Sequence, residues 1–298
     1  MAGGVYCSLS PRDPQHRLHA FIQQTQSRLL FVHWLTKMKF NDDILSADIH
    51  SILANNNVMS DTDFDRLSKI IVKPNDIAFI IFTSGSTGIP KAIQYRHENF
   101  IRFIYSFGSV TTLKSDDLVV QIVRCTYDGH LRQIVGIFLI GATCVMLRPR
   151  GMTDFDYLAD VLYNKQITHF STVPVLLQTF FSFLIQYKRI YAVKYLRLLC
   201  SAGEALPSKL IDLVQEINIH NCIFWNLYGP AEATIVSTFY RLHPMANRQS
   251  ISIGTPLANY QCMVINEFLQ QSITNQDGEL FIGGVGVFAG YLGRDDLT

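Results

Sequence analysis

The chain has 298 residues, with 25 Lys and Arg against 24 Asp and Glu, a net charge of +1. That balance gives no reason to expect nucleic acid or an anionic membrane as a partner. Apolar residues make up 48% and charged ones 16%, which excludes a disordered chain and suffices for one or two domains with a substantial core.

No basic stretch followed by an apolar one opens the chain, so no signal peptide is expected. Residues 41–76 are rich in Asn, Asp and Ser and read as surface connections around a short helix. Residues 77–82 (IAFIIF) predict a buried strand. From there the pattern alternates. Strands are predicted over 118–124, 143–147, 169–173, 196–201 and 222–226. Helices are predicted over 130–140, 154–164, 174–187 and 207–217. Such alternation predicts βαβ units, an α/β fold with mostly parallel sheets and flanking helices. After Ile235 the texture changes to short strands over 235–240, 261–265 and 279–282, which predicts a small antiparallel or barrel-like part near the C-terminus.

The longest apolar stretch, 134–147, is too short to span a bilayer and holds two glycines. Cys7, Cys125, Cys144, Cys200, Cys222 and Cys262 show no metal-ligand spacing. Most lie in apolar, strand-like contexts, so they are expected to be buried free thiols in a reducing, cytoplasmic setting.

The segment most indicative of chemistry is Thr83-Ser84-Gly85-Ser86-Thr87-Gly88-Ile89-Pro90-Lys91. Its glycines let backbone N–H groups line a concavity for an anion, its hydroxyls add donors and its lysine adds charge. This predicts a phosphate-binding loop. It is not a Walker A loop, because Ile89-Pro90 separates the last glycine from Lys91. A plain Ser/Gly-rich linker is the bland alternative.

This loop resembles the signature loop of the adenylate-forming (AMP-binding) enzymes, which include acyl-CoA synthetases, luciferases and the adenylation domains of nonribosomal peptide synthetases. Residues 3–18 (GGVYCSLSPRDPQHRL) are similar to the adenylation-domain segment AGGAYVPLDPxxPxxRL. Residues 226–232 (NLYGPAE) resemble NxYGPTE, and residues 278–292 (GELFIGGVGVFAGYL) resemble GELxIxGxGVxxGYL. The resemblance implies the large N-terminal lobe of such an enzyme over 1–298. The chain opens inside the Gly-Gly motif and stops before the motif whose aspartate holds the ribose. It is therefore expected to be a fragment lacking an N-terminal segment and the C-terminal small lobe, inactive or weakly active alone.

The implied reaction is attack of an amino acid carboxylate on the α-phosphate of ATP, followed by transfer to a phosphopantetheine thiol on a carrier domain. Charge builds up on phosphate oxygens, so fixed donors and a metal are needed. By resemblance, Thr83, Ser84, Gly85, Ser86, Thr87, Gly88 and Lys91 cradle the β- and γ-phosphates. Glu232 ligates Mg²⁺, a hard cation that prefers oxygen; an ordinary surface glutamate is the alternative. Lys91 and Glu232 are thus the expected catalytic residues. Tyr228 stacks on adenine, the alternative being a plain core tyrosine. Ala202-Gly203-Glu204 and Asn226 with Gly229 complete the expected nucleotide site.

Tyr127-Asp128-Gly129-His130 resembles the segment whose aspartate pairs with the substrate ammonium, and Asp128 holds that place. The alternative is a helix cap. The same carry-over puts Gly129, Arg132, Val175, Cys200, Ala202, Leu227, Ile235 and Val236 around the substrate side chain. A guanidinium there needs an anion, so Arg132 suggests an amino acid with an acidic side chain. Equally, Arg132 facing solvent with an aliphatic substrate fits the sequence. His130 is expected to touch substrate or only to pack, not to act as a base.

Two substitutions depart from the motifs. Ala231 stands where threonine is usual, removing a donor near the α-phosphate that is worth ~3 kcal/mol of barrier. Ala92 replaces a usual glycine and costs about 1–2 kcal/mol if the position needs positive φ. An acyl-CoA-synthetase-like ligase and a non-catalytic nucleotide-binding remnant are the competing readings. Asp128 and residues 3–18 argue against the first.

Overall fold

The computed structural model describes residues 3–40, 44–54, 61–83, 90–219, 221–243 and 250–298. The chain divides into two compact units, Met1–His97 with Ala289–Thr298, and Glu98–Phe288.

The first unit carries helix α1 (Gln15–Thr25), which buries Leu18, Phe21 and Ile22. Phe21 stacks on Phe82 with ring centroids 3.8 Å apart. Its sheet runs β1 (Tyr6–Cys7), β4 (Ile77–Thr83), β5 (Lys91–Arg96) and a closing strand, Gly290–Tyr291. A separate parallel pair joins β2 (Leu30–Val32) to β3 (Ser46–Asp48). The segment 41–76 holds β3 and two helical stretches, Ile49–Ala54 and Asp61–Ser68, more than the one short helix expected. The predicted strand 77–82 is present as β4. It pairs antiparallel with β5, so Thr83 stands opposite Lys91. β5 itself was not predicted, because KAIQYR mixes polar and apolar residues without the β-branched run of its neighbour. Ala92 lies in β5, 1% exposed and outside the positive-φ positions, so glycine is not needed there.

The second unit is built on a seven-stranded sheet. Its strands are β6 (Leu118–Gln121), β7 (Thr143–Met146), β8 (His169–Thr172), β9 (Leu198–Ala202), β10 (Ile223–Tyr228), β11 (Thr238–Arg241) and β12 (Thr255–Pro256). The spatial order is β12-β11-β10-β9-β8-β6-β7. The strands from β10 to β7 are mutually parallel, and β11 and β12 add antiparallel at one edge. A two-stranded antiparallel pair, β13 (Tyr260–Ile265) with β14 (Glu279–Gly284), supplies the small antiparallel part.

Side chains alternate between the two faces of the sheet. One face presents Phe170, Leu199 and Phe224 to helices α3 (Phe155–Asn164), α4 (Pro174–Gln186) and α5 (Ser208–Ile217). There they form the main core with Leu158, Leu162, Phe180 and Leu210. Local chemistry starts these helices where they start. The Asp154 carboxylate accepts from Tyr157 N–H at the head of α3, and Pro174 occupies the first turn of α4, where no N–H is needed.

The other face carries His169, Ser171, Leu198 and Cys200, register partners on β8 and β9. Phe103 and Phe107, from helix α2 (His97–Thr111), are buried as well. That helix was not predicted: it follows β5 without a loop and carries aromatic and β-branched residues that do not favour helix. The helix predicted over 130–140 is a composite. Gly129–Leu131 is α-helical, Arg132–Gly136 forms a π turn, and Ile137–Ile140 resumes the α-helix. A Cβ on Gly136 would lie 2.5 Å from Ile104 Cδ1, so a larger residue there would need that side chain to shift.

All six cysteines are free, as expected, but only Cys200 is buried; the other five are half-buried. Strand-like context alone overstated their burial: Cys7, Cys144 and Cys262 sit in strands with few buried residues. Among the described residues no helix is long and apolar enough to cross a membrane.

Candidate functional site

Residues expected at the site occur in both units. In the first, Thr83 ends β4 and Lys91 begins β5, both half-buried. The Lys91 ammonium lies 5.0 Å from the centre of the Tyr291 ring. Ser84, Gly85, Ser86, Thr87 and Gly88 lie outside the described residues.

In the second unit the predicted residues gather at the carboxyl ends of parallel strands, where open α/β sheets present their ligand crevice. β9 ends at Ala202, half-buried, and Gly203 follows with φ +90. Gly203 and Glu204 are exposed. On β10, Leu227 pairs with Ala202 in register and is 2% exposed. Tyr228 is 38% exposed, which removes the core-tyrosine alternative and leaves an aromatic face available. Asn226 is buried and its amide donates to the Ser252 carbonyl at 2.9 Å. Val175 is 58% exposed on the first turn of α4.

Residues 228–237 form a tight, much-braced turn. Gly229 is required by proximity: a Cβ there would stand 2.7 Å from Val236 Cα. Ala231–Ala233, containing the half-buried Glu232, is a single 3₁₀ turn. Thr234 and Ile235 then both take left-handed conformations, φ 57 and φ 69. For a β-branched residue that is a strained backbone, and strain of this kind persists only where neighbours over-determine it. They do. Ser237 N–H donates to the Tyr228 carbonyl at 2.8 Å, and the Thr234 hydroxyl donates to the Gly286 carbonyl at 2.6 Å. Phe288 N–H donates to the Glu232 carbonyl at 2.9 Å. The Ile235 N–H donates to Asp128 Oδ2 at 3.2 Å. The strand expected from Ile235 therefore begins only at Thr238. β-branching predicted extended backbone, and tertiary contacts overrode it.

Asp128 precedes the composite helix, yet its side chain makes no capping hydrogen bond. Its carboxylate is aimed instead at the strained turn, so the cap alternative falls. His130 is 2% exposed with its ring against the Tyr127 carbonyl; burial, first of all, lowers its pKa. It packs. Arg132 is 4% exposed, which overturns the alternative that it faces solvent. Its Nη2 donates to the Ser171 hydroxyl at 2.7 Å and its guanidinium lies 4.9 Å from the Phe107 ring centre. Nε and Nη1 have no hydrogen-bond partner among the described residues. Burial depresses the guanidinium pKa, and Cys200 and Asp128 act in the opposite sense.

Around Arg132 the sequence reading missed Ser171 and His169. Both are fully buried polar residues on β8, and polar side chains in a buried strand were the available signal. Gln133 fixes this region: its Oε1 accepts from the Ile122 and Val123 N–H groups, and its amide donates to the Ser171 carbonyl at 2.9 Å. His169 Nε2 lies 3.6 Å from Cys200 Sγ. Burial, with Arg132 adding to it, holds the imidazole pKa at about 3, so it is neutral near pH 7. Burial pushes the Cys200 thiol up to about 12, so it stays protonated.

Among the described residues no group of three or more His, Cys, Asp or Glu could hold a metal. The turn itself carries one carboxylate, Glu232. That suits Mg²⁺, which keeps several waters and is bound through one or two carboxylates plus substrate phosphates.

A family model described as "AMP-binding enzyme" matches residues 1–292. Indigoidine synthase of Dickeya dadantii (strain 3937) is 30% identical over 312 residues, covering all of this chain and 20% of that protein. The chain therefore spans a small part of this relative's length. Among solved structures, the nonribosomal peptide synthetase FmoA3 (S1046A) superposes with a TM-score of 0.85 at 21% identity, over all of this chain and 31% of that one. The N-terminal subdomain of Klebsiella oxytoca NpsA, in complex with 3-hydroxyanthranilyl-AMSN, superposes with a TM-score of 0.83 at 21% identity, over all of this chain and 72% of that one. These structural likenesses show a shared fold.

Proposed function

Because this chain belongs to the AMP-binding enzyme family, we propose that it serves the ATP-dependent activation of an amino acid. A carboxylate oxygen of the amino acid attacks the α-phosphorus of ATP. The bond from that phosphorus to the bridging oxygen breaks, pyrophosphate leaves with the electron pair, and aminoacyl-AMP forms. A phosphopantetheine thiol on a carrier domain then attacks the acyl carbon; AMP leaves and the thiol proton goes to solvent.

The observation that carries this reading is Asp128. A half-buried carboxylate aimed at the strained turn of Ile235, rather than capping its own helix, supports its reading as the partner of an α-ammonium. Tyr228 offers an exposed ring for adenine beside the Gly203 turn, where backbone can approach closely. Glu232 would hold Mg²⁺, which when bound neutralises charge developing on phosphate oxygens. Lys91 and the glycine-rich run are assigned to the β- and γ-phosphates. No general base is needed, since the attacking carboxylate is already ionised at neutral pH.

The test is amino-acid-dependent ATP–pyrophosphate exchange by the whole protein. Exchange that falls at least a hundredfold in Lys91→Ala, Glu232→Ala and Asp128→Ala is the expected result. Exchange driven by fatty acids and not by amino acids would replace this reading with an acyl-CoA-synthetase-like ligase. ATP binding without exchange would replace it with a nucleotide-binding role.

A further inference from the structure

We propose that the amino acid taken by this site has an acidic side chain, a distal carboxylate held by the Nε–H and Nη1–H donors of Arg132. This rests on the amino-acid reading above and narrows its substrate class.

Arg132 is buried, keeps its proton in a protein, and has two of its three nitrogens without a hydrogen-bond partner among the described residues. A buried cation is stable only when paired and hydrogen-bonded. Among the described residues no carboxylate hydrogen-bonds Nε or Nη1, and Asp128 acts on the guanidinium only through space. Ser171 is neutral and accepts from Nη2. Cys200 is a protonated thiol and His169 a neutral imidazole. Phe107 offers a ring face. A guanidinium presents a planar fork of donors matched to a carboxylate, so a carboxylate is the chemistry it lacks.

Sequence spacing strengthens the case. Asp128 and Arg132 are four residues apart at the start of one helix, so they share a face about one turn apart. Side chains so spaced have Cβ atoms roughly 5–6 Å apart, so the site offers a carboxylate and a guanidinium on neighbouring side chains. An α-amino acid of the glutamate or 2-aminoadipate type carries the complementary pair, an ammonium and a distal carboxylate, a few bonds apart. An aliphatic side chain would leave both Arg132 donors unpaired, and sites built to hydrogen-bond a substrate group reject analogues that lack it. Both nitrogens are closed to solvent here. Binding therefore requires the arginine side chain to turn toward the incoming acid, giving up Ser171 or its place over Phe107.

The experiment is pyrophosphate exchange by the whole protein with aspartate, glutamate, 2-aminoadipate, glutamine, norleucine, leucine and phenylalanine. The expected result is one acidic member preferred over its neutral counterpart by about a hundredfold in kcat/KM. Arg132→Leu should reverse that preference toward norleucine or leucine. Where Arg132→Leu does not fold, Arg132→Lys keeps a charge without the fork; it should keep the acidic preference with KM raised about tenfold. A neutral amino acid preferred by the unmodified protein overturns the proposal. So does an acidic preference that survives in Arg132→Leu, or a KM for the acid unchanged in Arg132→Lys. Exchange with none of the seven, together with an Asp128→Ala variant indistinguishable from the unmodified protein, overturns the amino-acid reading itself and the proposal with it.

Discussion

Gly229→Ala isolates the braced turn from everything else. Gly229 is not among the positive-φ glycines, so alanine meets no left-handed backbone penalty there. Its methyl group would stand 2.7 Å from Val236 Cα and 2.8 Å from both the Ile235 oxygen and the Ser237 nitrogen, where ordinary contact begins near 3.4 Å. The difference between 3.4 and 2.7, 0.7 Å, must be taken up by backbone, because no flexible side chain is among the three neighbours. Overpacking of this kind costs ~1–3 kcal/mol. A cost of about 2 kcal/mol lowers the midpoint of a unit this size by roughly 4–8 °C. The same displacement moves the Ile235 N–H that meets Asp128, and misplacement of up to ~1 Å at a reacting site costs up to about a hundredfold in rate. The assay is a thermal melt paired with pyrophosphate exchange, with Gly283→Ala as control, since nothing lies within 4 Å of a Cβ there. If Gly229→Ala melts with Gly283→Ala and keeps its exchange rate, the close packing of residues 229 and 235–237 is not what shapes the site.

Three further outcomes are expected. Asp117, 2% exposed, is ion-paired to Arg197 and accepts from Lys114 N–H and the Thr168 hydroxyl, each at 2.8 Å. Burial alone would raise its pKa, but Arg197 and these donors outweigh it and hold it low. Asp117→Ala should lose stability at the low end of the ~3–5 kcal/mol range for a broken buried pair, because Arg197 keeps some solvent. A group with a lowered folded pKa stabilises above its unfolded value and loses this on acidification. Urea melts of variant and unmodified chain should therefore begin to converge as the pH falls below about 4. For His169 the folded pKa of about 3 lies below the unfolded value, so the unfolded chain binds one more proton between the two. Stability should fall by about 1.4 kcal/mol per pH unit from about pH 6.5 downward, with a shallower slope in His169→Gln measured by the same melts. Thr234→Val removes the hydroxyl that donates to Gly286 and leaves that buried carbonyl unpaired. A loss of ~1–3 kcal/mol is expected on a denaturation curve, with exchange reduced in parallel.

The alternation of strands and helices from Leu118 to Tyr228 was legible because each element has its own period and a turn signal beside it. The helix over His97–Thr111 was not, since its signal is burial of Phe103 and Phe107 rather than propensity. At the site, the spacing of Asp128 and Arg132 was plain in the sequence, while the burial of Arg132 was not. That burial is set by Phe107 and by Ser171, 39 residues away on β8. Ile235 shows the opposite limit: its residue type argued for a strand, and hydrogen bonds to Asp128 and from Thr234 to Gly286 decided otherwise. The unexpected depth of the cluster on β8 follows from the same cause, partners too distant in sequence to form a local pattern.

The π turn at Arg132–Gly136 makes this stretch tolerant of a change in length. A π turn holds one more residue than a turn of the α-helix around it, so a single-codon deletion among residues 133–135 is met by relaxation to a regular helix and not by a broken one. Because the extra residue sits within one turn, the segments on either side keep their facing, whereas a deletion from a regular α-helix rotates one side by about 100° against the other. Such a deletion would change which side chains line the turn while Asp128 and Ile137–Ile140 face as before. Among homologous chains, indels here would alter the wall of the turn in one step and spare the helix that carries it.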